Sequence, residues 1–159
     1  MSFTDVLFKP NGRISQGQFW AGWGVIIVGN FIANFIPLLG LLISLGLIYV
    51  GCCVYGKRLH DMGKSAWLHA IPWGISIVLT IIAVVVAMPA IMAAVQGADT
   101  MSEEEMVAAM MGSMGPAMGI GALSMLIWLG YTIWVGVSGS DPNDNQYGPG
   151  AAGTGDTFV

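Results

Sequence analysis

The tetrapeptide Arg58-Leu59-His60-Asp61 is the densest run of chemistry-bearing side chains in this sequence. A histidine beside a carboxylate can carry a proton or ligate a metal. A nearby arginine can hold an anionic group such as a lipid phosphate. Two further patterns carry donors of the same kind. Gly12-Arg13-Ile14-Ser15 supplies a second guanidinium, and Asn145-Gln146-Tyr147-Gly148-Pro149 supplies an amide and a phenol. Arg13, Arg58, His60, Asp61, Asn145 and Tyr147 are therefore the candidate binding set. No nucleophile and no second metal ligand stands at a recognisable spacing from His60, so no catalytic residue is assigned and the sequence leans away from an enzyme. The same residues also have an architectural reading. Arginines anchor helix ends by snorkelling, Asp61 neutralises one of them, and the Asn-Gln-Tyr-Gly-Pro turn pins the tail.

A second constellation is made of sulfur. Met106, Met110 and Met114 recur every four residues, one stripe of a helix, and thioethers are soft ligands that select Cu(I). No His or Cys joins the stripe, and a flexible apolar face resting on lipid explains the spacing equally. Asp141-Pro142-Asn143-Asp144-Asn145 has the oxygen donors of a calcium loop, but its glycine falls too late and its twelfth position is Ala152 rather than glutamate. Neither a resident metal nor a cofactor is expected. The adjacent Cys52 and Cys53 have no ligand spacing and imply no disulfide framework.

These residues must be positioned by elements of an unusual composition. Hydrophobic residues make up 55% of the 159 and charged residues only 9%. A soluble domain carries about 25% charged residues because its surface faces water. Here most of the surface must face something else. The net charge of −4, with no basic run, excludes nucleic acid as a partner. Membrane lipid is the expected partner, with a protein partner or a homo-oligomer as further possibilities.

Long uncharged stretches predict an all-α integral membrane protein of four transmembrane helices. About 20 apolar residues cross a hydrocarbon core of about 30 Å. The stretch from Ile14 to Gly56 holds two such helices, divided near Pro37, at about 18–36 and 38–55. A third is expected at about 67–95 and a fourth at about 119–138, with a Met-rich outer interfacial helix between them that ends before Pro116. Residues 1–149 form this membrane domain, and 150–159 read as a flexible tail. Ser15 with Gln18, and Ser102 with Glu105, are capping boxes that open helices. Asn30 and Asn34 fall near mid-bilayer and need partners there, for which Ser76 and Thr80 are candidates. A short interfacial helix is expected at Ser2–Lys9, and no cleaved signal segment is expected.

All five basic residues, Lys9, Arg13, Lys57, Arg58 and Lys64, fall on one side of this arrangement. By the positive-inside rule that side is the cytoplasm, and both termini lie there.

The three polar patterns, in this order and separated by hydrophobic spans, resemble the YhaH-like family of small bacterial inner-membrane proteins, catalogued as domain of unknown function 805. The resemblance covers about residues 5–149. Lys57 stands where that family often has a second arginine, Ala66 where it often has glycine, and the Met-rich segment is an elaboration. The resemblance implies a bacterial inner-membrane protein of about four spans and lends no activity. The functional expectation is a non-enzymatic scaffold or accessory protein with a cytoplasmic polar site for a partner or anionic lipid. The alternatives are an oligomeric small-solute or ion conduit, or an interfacial enzyme using His60 and Asp61.

Overall fold

The computed structural model describes residues 2–36, 38–97 and 101–150. It is helical: α1 (Phe3–Phe8), α2 (Gln16–Ala33), α3 (Leu39–Asp61), a 3-10 turn (Ala66–His69), α4 (Ala70–Gly97) and α5 (Glu103–Val137). No strand occurs among the described residues, only an isolated bridge between Asn145 and Gly148.

Three of these helical stretches are long and apolar enough to cross a membrane: Leu39–Asp61, Ala66–Gly97 and Glu103–Val137. This is a membrane protein by that measure. The expected first span corresponds to α2, which has 18 residues and whose hydropathy is diluted by Gln16, Gln18 and Asn30. The chain forms two compact units, residues 1–70 with 132–159, and residues 71–131.

In the first unit, α2 opens on the expected capping box. Ser15 Oγ accepts from the Gln18 amide at 3.3 Å, and Gln18 Oε1 accepts from the Ser15 amide at 3.1 Å. Helix ends near lipid must satisfy their free amides locally. α2 and α3 then run antiparallel, and two glycines seven residues apart set their separation. A Cβ on Gly22 would lie 2.9 Å from Val54, and one on Gly29 would lie 2.9 Å from Leu47. The turn between them passes through Leu38 at φ 66°, and Pro37 lies outside the described residues. α1 packs Val6 and Leu7 inward and leaves Phe3 and Phe8 exposed. Lys57, wholly buried, donates from Nζ to the carbonyls of Asp5 (2.5 Å) and Val6 (2.7 Å), and Tyr49 donates to that of Phe8 (2.9 Å).

One expectation needs correction, and one span runs longer than expected. α3 continues past about 55 to Asp61, so Lys57, Arg58, His60 and Asp61 ride on its last turns. The charges do not break the helix because other segments of the chain satisfy them, as described below. The Met-rich segment is not a separate interfacial helix ending before Pro116 and followed by a fourth span at about 119–138. α5 is one helix of 35 residues with Pro116 inside it. A proline removes one hydrogen bond, whereas ending the helix in an apolar medium would strand several. Within α2, the Asn30 amide donates to Ile26 O at 2.9 Å, and Asn34 donates to Asn30 O at 2.8 Å.

In the second unit, Ser76 of α4 pairs with Ser124 of α5 at 3.2 Å and accepts from Trp128 Nε1 at 2.8 Å. The Ser102–Glu105 box opens α5, with the Ser102 amide 2.9 Å from Glu105 Oε2. Asp99 and residues 151–159, the bulk of the expected flexible tail, lie outside the described residues.

Candidate functional site

The end of α3 is where the polar chemistry converges. One carboxylate, Asp61, stands between two guanidiniums. Its Oδ1 accepts from Arg13 Nε at 3.2 Å, and its Oδ2 accepts from Arg58 Nη1 and from Ser140 Oγ. All three charged side chains are almost wholly buried, 0% exposed for Arg58 and 3% for Asp61. α3 supplies Arg58 and Asp61 three residues apart, hence on one face. The turn Pro10–Gly12 delivers Arg13, and Gly12 takes φ 99°, a conformation that suits glycine.

The remaining guanidinium donors go to backbone carbonyls. Arg13 Nη1 donates to Asn143 O (2.9 Å) and Gly148 O (3.4 Å), and its Nη2 donates to Asp61 O (3.1 Å) and Asp141 O. A guanidinium has five N–H groups, and all five of Arg13's are engaged. Arg58 donates from Nε to Val135 O (3.2 Å), from Nη1 also to Ser140 Oγ (3.1 Å), and from Nη2 to Ser138 O. Val135 and Ser138 sit at the C-terminal end of α5, where carbonyls lack helical partners and the dipole favours a cation. Gln16 adds a cap of its own, donating to Val137 O and Ser138 O, each at 3.1 Å.

His60 points elsewhere, since adjacent residues on a helix diverge by about 100°. Its ring stacks on Tyr147 at 3.7 Å with 7° between planes. Its Nδ1 lies 3.2 Å from Gly12 O and donates to it when that nitrogen carries the proton. Asn145 ties the same region together. Its amide donates to His60 O and to Asp141 Oδ2, each at 3.2 Å, while its Oδ1 accepts from the Tyr147 amide at 2.9 Å. Asn145 and Gly148 exchange backbone hydrogen bonds at 3.1 and 3.0 Å, so Gln146 and Tyr147 occupy a two-residue turn. The Asp141 amide also bonds Asp61 O at 2.7 Å. The Asp141 carboxyl is held below its usual range, first by the Asn143 amide, then by Asn145, with Arg13's charge adding to both. Below this cap lies an aromatic layer. Tyr55 stacks on His69 at 4.5 Å, meets Phe19 edge-on, and hydrogen-bonds Thr132 at 2.7 Å.

Arg13, Arg58, His60, Asp61, Asn145 and Tyr147 are thus brought together, as two adjoining clusters rather than one open cleft. Among the described residues no buried side-chain nitrogen or oxygen lacks a partner. The chain matches, over residues 7–149, the family model described as "Protein of unknown function (DUF805)".

The chain belongs to the DUF805 family.

No curated protein and no solved structure matches it. In this DUF805 chain the matched stretch begins inside α1 and ends one residue past Gly148, the last carbonyl that Arg13 reaches. Gln16 and Ser140 contribute to the site without having been singled out from sequence, where Lys57 stands out only for its charge and its departure from the family, and Asp141 only in a rejected calcium loop. Lys57 carried a usable signal, a lysine within the last turns of an apolar helix, which must find oxygen partners or snorkel. The methionine stripe belongs to the second unit. Met106 is half-buried, and Met110 and Met114 are exposed along α5. Among the described residues no group of three or more His, Cys, Asp or Glu side chains converges.

Proposed function

We propose that this DUF805 chain is a non-enzymatic scaffold or accessory protein of a bacterial inner membrane. It spans the bilayer four times, α2 included, with both termini in the cytoplasm. The observation that carries this reading is the saturation of the polar cluster. Every guanidinium N–H of Arg13 donates to the chain's own oxygens, Arg58 makes four such bonds, and His60 is stacked and hydrogen-bonded. A catalytic or anion-binding site needs donors aimed at empty space. This one has its donors aimed at its own tail.

The knot therefore serves as a rigid platform, and recognition falls to what surrounds it. Lys64 and Trp67 are exposed beside it, Trp67 to 84%, and Lys9 is 67% exposed although paired with Asp5 at 2.8 Å. A tryptophan and lysines at a membrane edge fit anionic headgroups or a partner's acidic surface. Isolation in a mild detergent is expected to retain a protein partner or an anionic lipid, and Lys64→Glu with Lys9→Glu is expected to release it. Clean isolation with neither, from several detergents, overturns the proposal. Cysteines placed at Glu104 and Lys64 test the orientation: a membrane-impermeant thiol reagent outside the cell is expected to label the first and spare the second.

A further inference from the structure

Between α4 and α5, inside the second unit, lies an open cleft of 320 Å³ that runs from Leu79 to Ile91 on α4 and from Ala117 to Ser124 on α5. Its existence follows from residue size. Ala83, Ala87, Ala117 and Gly121 line it, and none is large enough to fill the space. One end is closed by the bonds that join Ser76, Ser124 and Trp128.

Two quantities decide what the cleft takes. The first is its width. Twelve helical steps cover about 18 Å, so 320 Å³ drawn out over that length leaves a groove about 7–8 Å across once the radius of a water-sized sphere, about 1.4 Å, is added on each side. A helix with side chains is about 10–12 Å across, so the helix of a second copy cannot sink into it. A polymethylene chain, one carbon wide, can. The second is polarity. The two hydroxyl-bearing residues of the lining are already committed, Thr80 to Ser76 O at 2.8 Å and Ser124 to Ser76 Oγ at 3.2 Å. The rest of the lining is apolar, so a polar solute would be buried there largely unpaired, which is costly. An empty groove forfeits dispersion contacts along its whole lining.

We propose that the α4–α5 cleft is a binding groove for a single acyl chain of a membrane phospholipid. The groove is independent of the polar knot and of any partner bound there.

The test uses the full chain in phosphatidylcholine vesicles doped with a phosphatidylcholine that carries a diazirine in one acyl chain. After irradiation, adducts are mapped by mass spectrometry. They are expected to concentrate on Ala83, Ala87 and Ala117. Gly121→Leu is expected to lower them about tenfold, equivalent to about 1.4 kcal/mol, while Gly119→Leu, outside the lining, leaves them unchanged. A Cβ at either glycine meets no heavy atom within 4 Å, so both substitutions are compatible with the fold. Adducts spread evenly over exposed positions such as Val85, Val86 and Leu126 would mean ordinary boundary lipid and overturn the proposal, as would equal labelling of the two variants. So would a Gly121→Leu variant whose particle mass drops, which would assign the groove to a second copy. The adduct map of the unsubstituted chain is decisive even if Gly121→Leu does not fold.

Discussion

Removing the Asp61 carboxylate is the sharpest perturbation of the knot. Asp61 pairs with two guanidiniums, and all three side chains are at most 3% exposed. Breaking a buried ion pair by deleting one partner costs about 3–5 kcal/mol, because it leaves an uncompensated buried charge. Here two cations are left facing each other, so Asp61→Ala belongs at the upper part of that range. For a chain of this size 1 kcal/mol moves the Tm by about 2–4 °C, which predicts a fall of about 6–20 °C. Asp61→Asn keeps one acceptor oxygen but loses the charge and turns an NH2 donor toward groups that themselves donate. It is expected to cost nearly as much as Asp61→Ala, about 3–5 kcal/mol. Thermal unfolding in detergent, followed by tryptophan fluorescence, reads both. The double variant Arg13→Ala with Asp61→Ala should cost less than the sum of the singles, by about 0.5–3 kcal/mol. An Asp61→Ala chain that melts within about 2 °C of the parent would refute the reasoning, since the carboxylate would then not be holding two buried cations in place.

Three other outcomes follow from the same geometry. Tyr147→Ala removes the ring stacked on His60 and is expected to cost about 0.5–1.5 kcal/mol beyond lost area, and to expose residues 138–150 to proteinase K. Gly22→Leu forces a side chain into Val54 and is expected to destabilise by about 1–3 kcal/mol, with Gly24→Leu, which meets no atom within 4 Å, as the neutral comparison in the same melt. The lowered pKa of Asp141 gives a pH dependence. Its contribution is complete above the unfolded value of about 3.9 and is lost as pH falls through the lower folded value. Protease protection of the tail is therefore expected to stay level down to about pH 4 and to fall below it. If Asp141→Asn has the same acid profile as the parent, the carboxylate is not involved.

What was legible in the sequence is what local physics decides. The Ser15–Gln18 and Ser102–Glu105 boxes are present. Each depends on residues at most four apart. Pro116 misled because proline is a breaker in water, where a freed carbonyl finds solvent, and is tolerated where it does not. The Asn30 amide bonds its own helix four residues back, a local partner that the expectation of one in another span overlooked. The six polar residues were legible as a set. Their use was not, because most acceptors for Arg13 and Arg58 are main-chain carbonyls of residues 135–148. A carbonyl has no letter in the sequence, and a tail of Gly, Ser, Asn and Asp reads as loose until something organises it.

That dependence on carbonyls has a consequence for how the knot can form. Arg13 and Arg58 reach partners 77 to 135 residues further along the chain, and nothing nearer in sequence replaces them. Until α5 is in place, both guanidiniums share one carboxylate and the other donors must stay hydrated. Burial of Arg58 to 0% exposure is therefore among the last events of folding, since a cation leaves water only when its partners are assembled. The same two arginines, with Lys57, are three of the five basic residues whose lopsided placement orients a chain in a membrane. On the topology proposed above, they act during insertion as hydrated charges that resist crossing, and afterwards as buried clamps that close over the end of α5. A chain ending at Val137 keeps the first role and loses the second, because Ser138, Ser140, Asp141 and the Asn145–Gly148 turn are gone. It is expected to insert with the parent's orientation and yet melt lower, by a margin comparable to that of Asp61→Ala. An unchanged Tm would mean that the tail rests on a cap that is already complete without it.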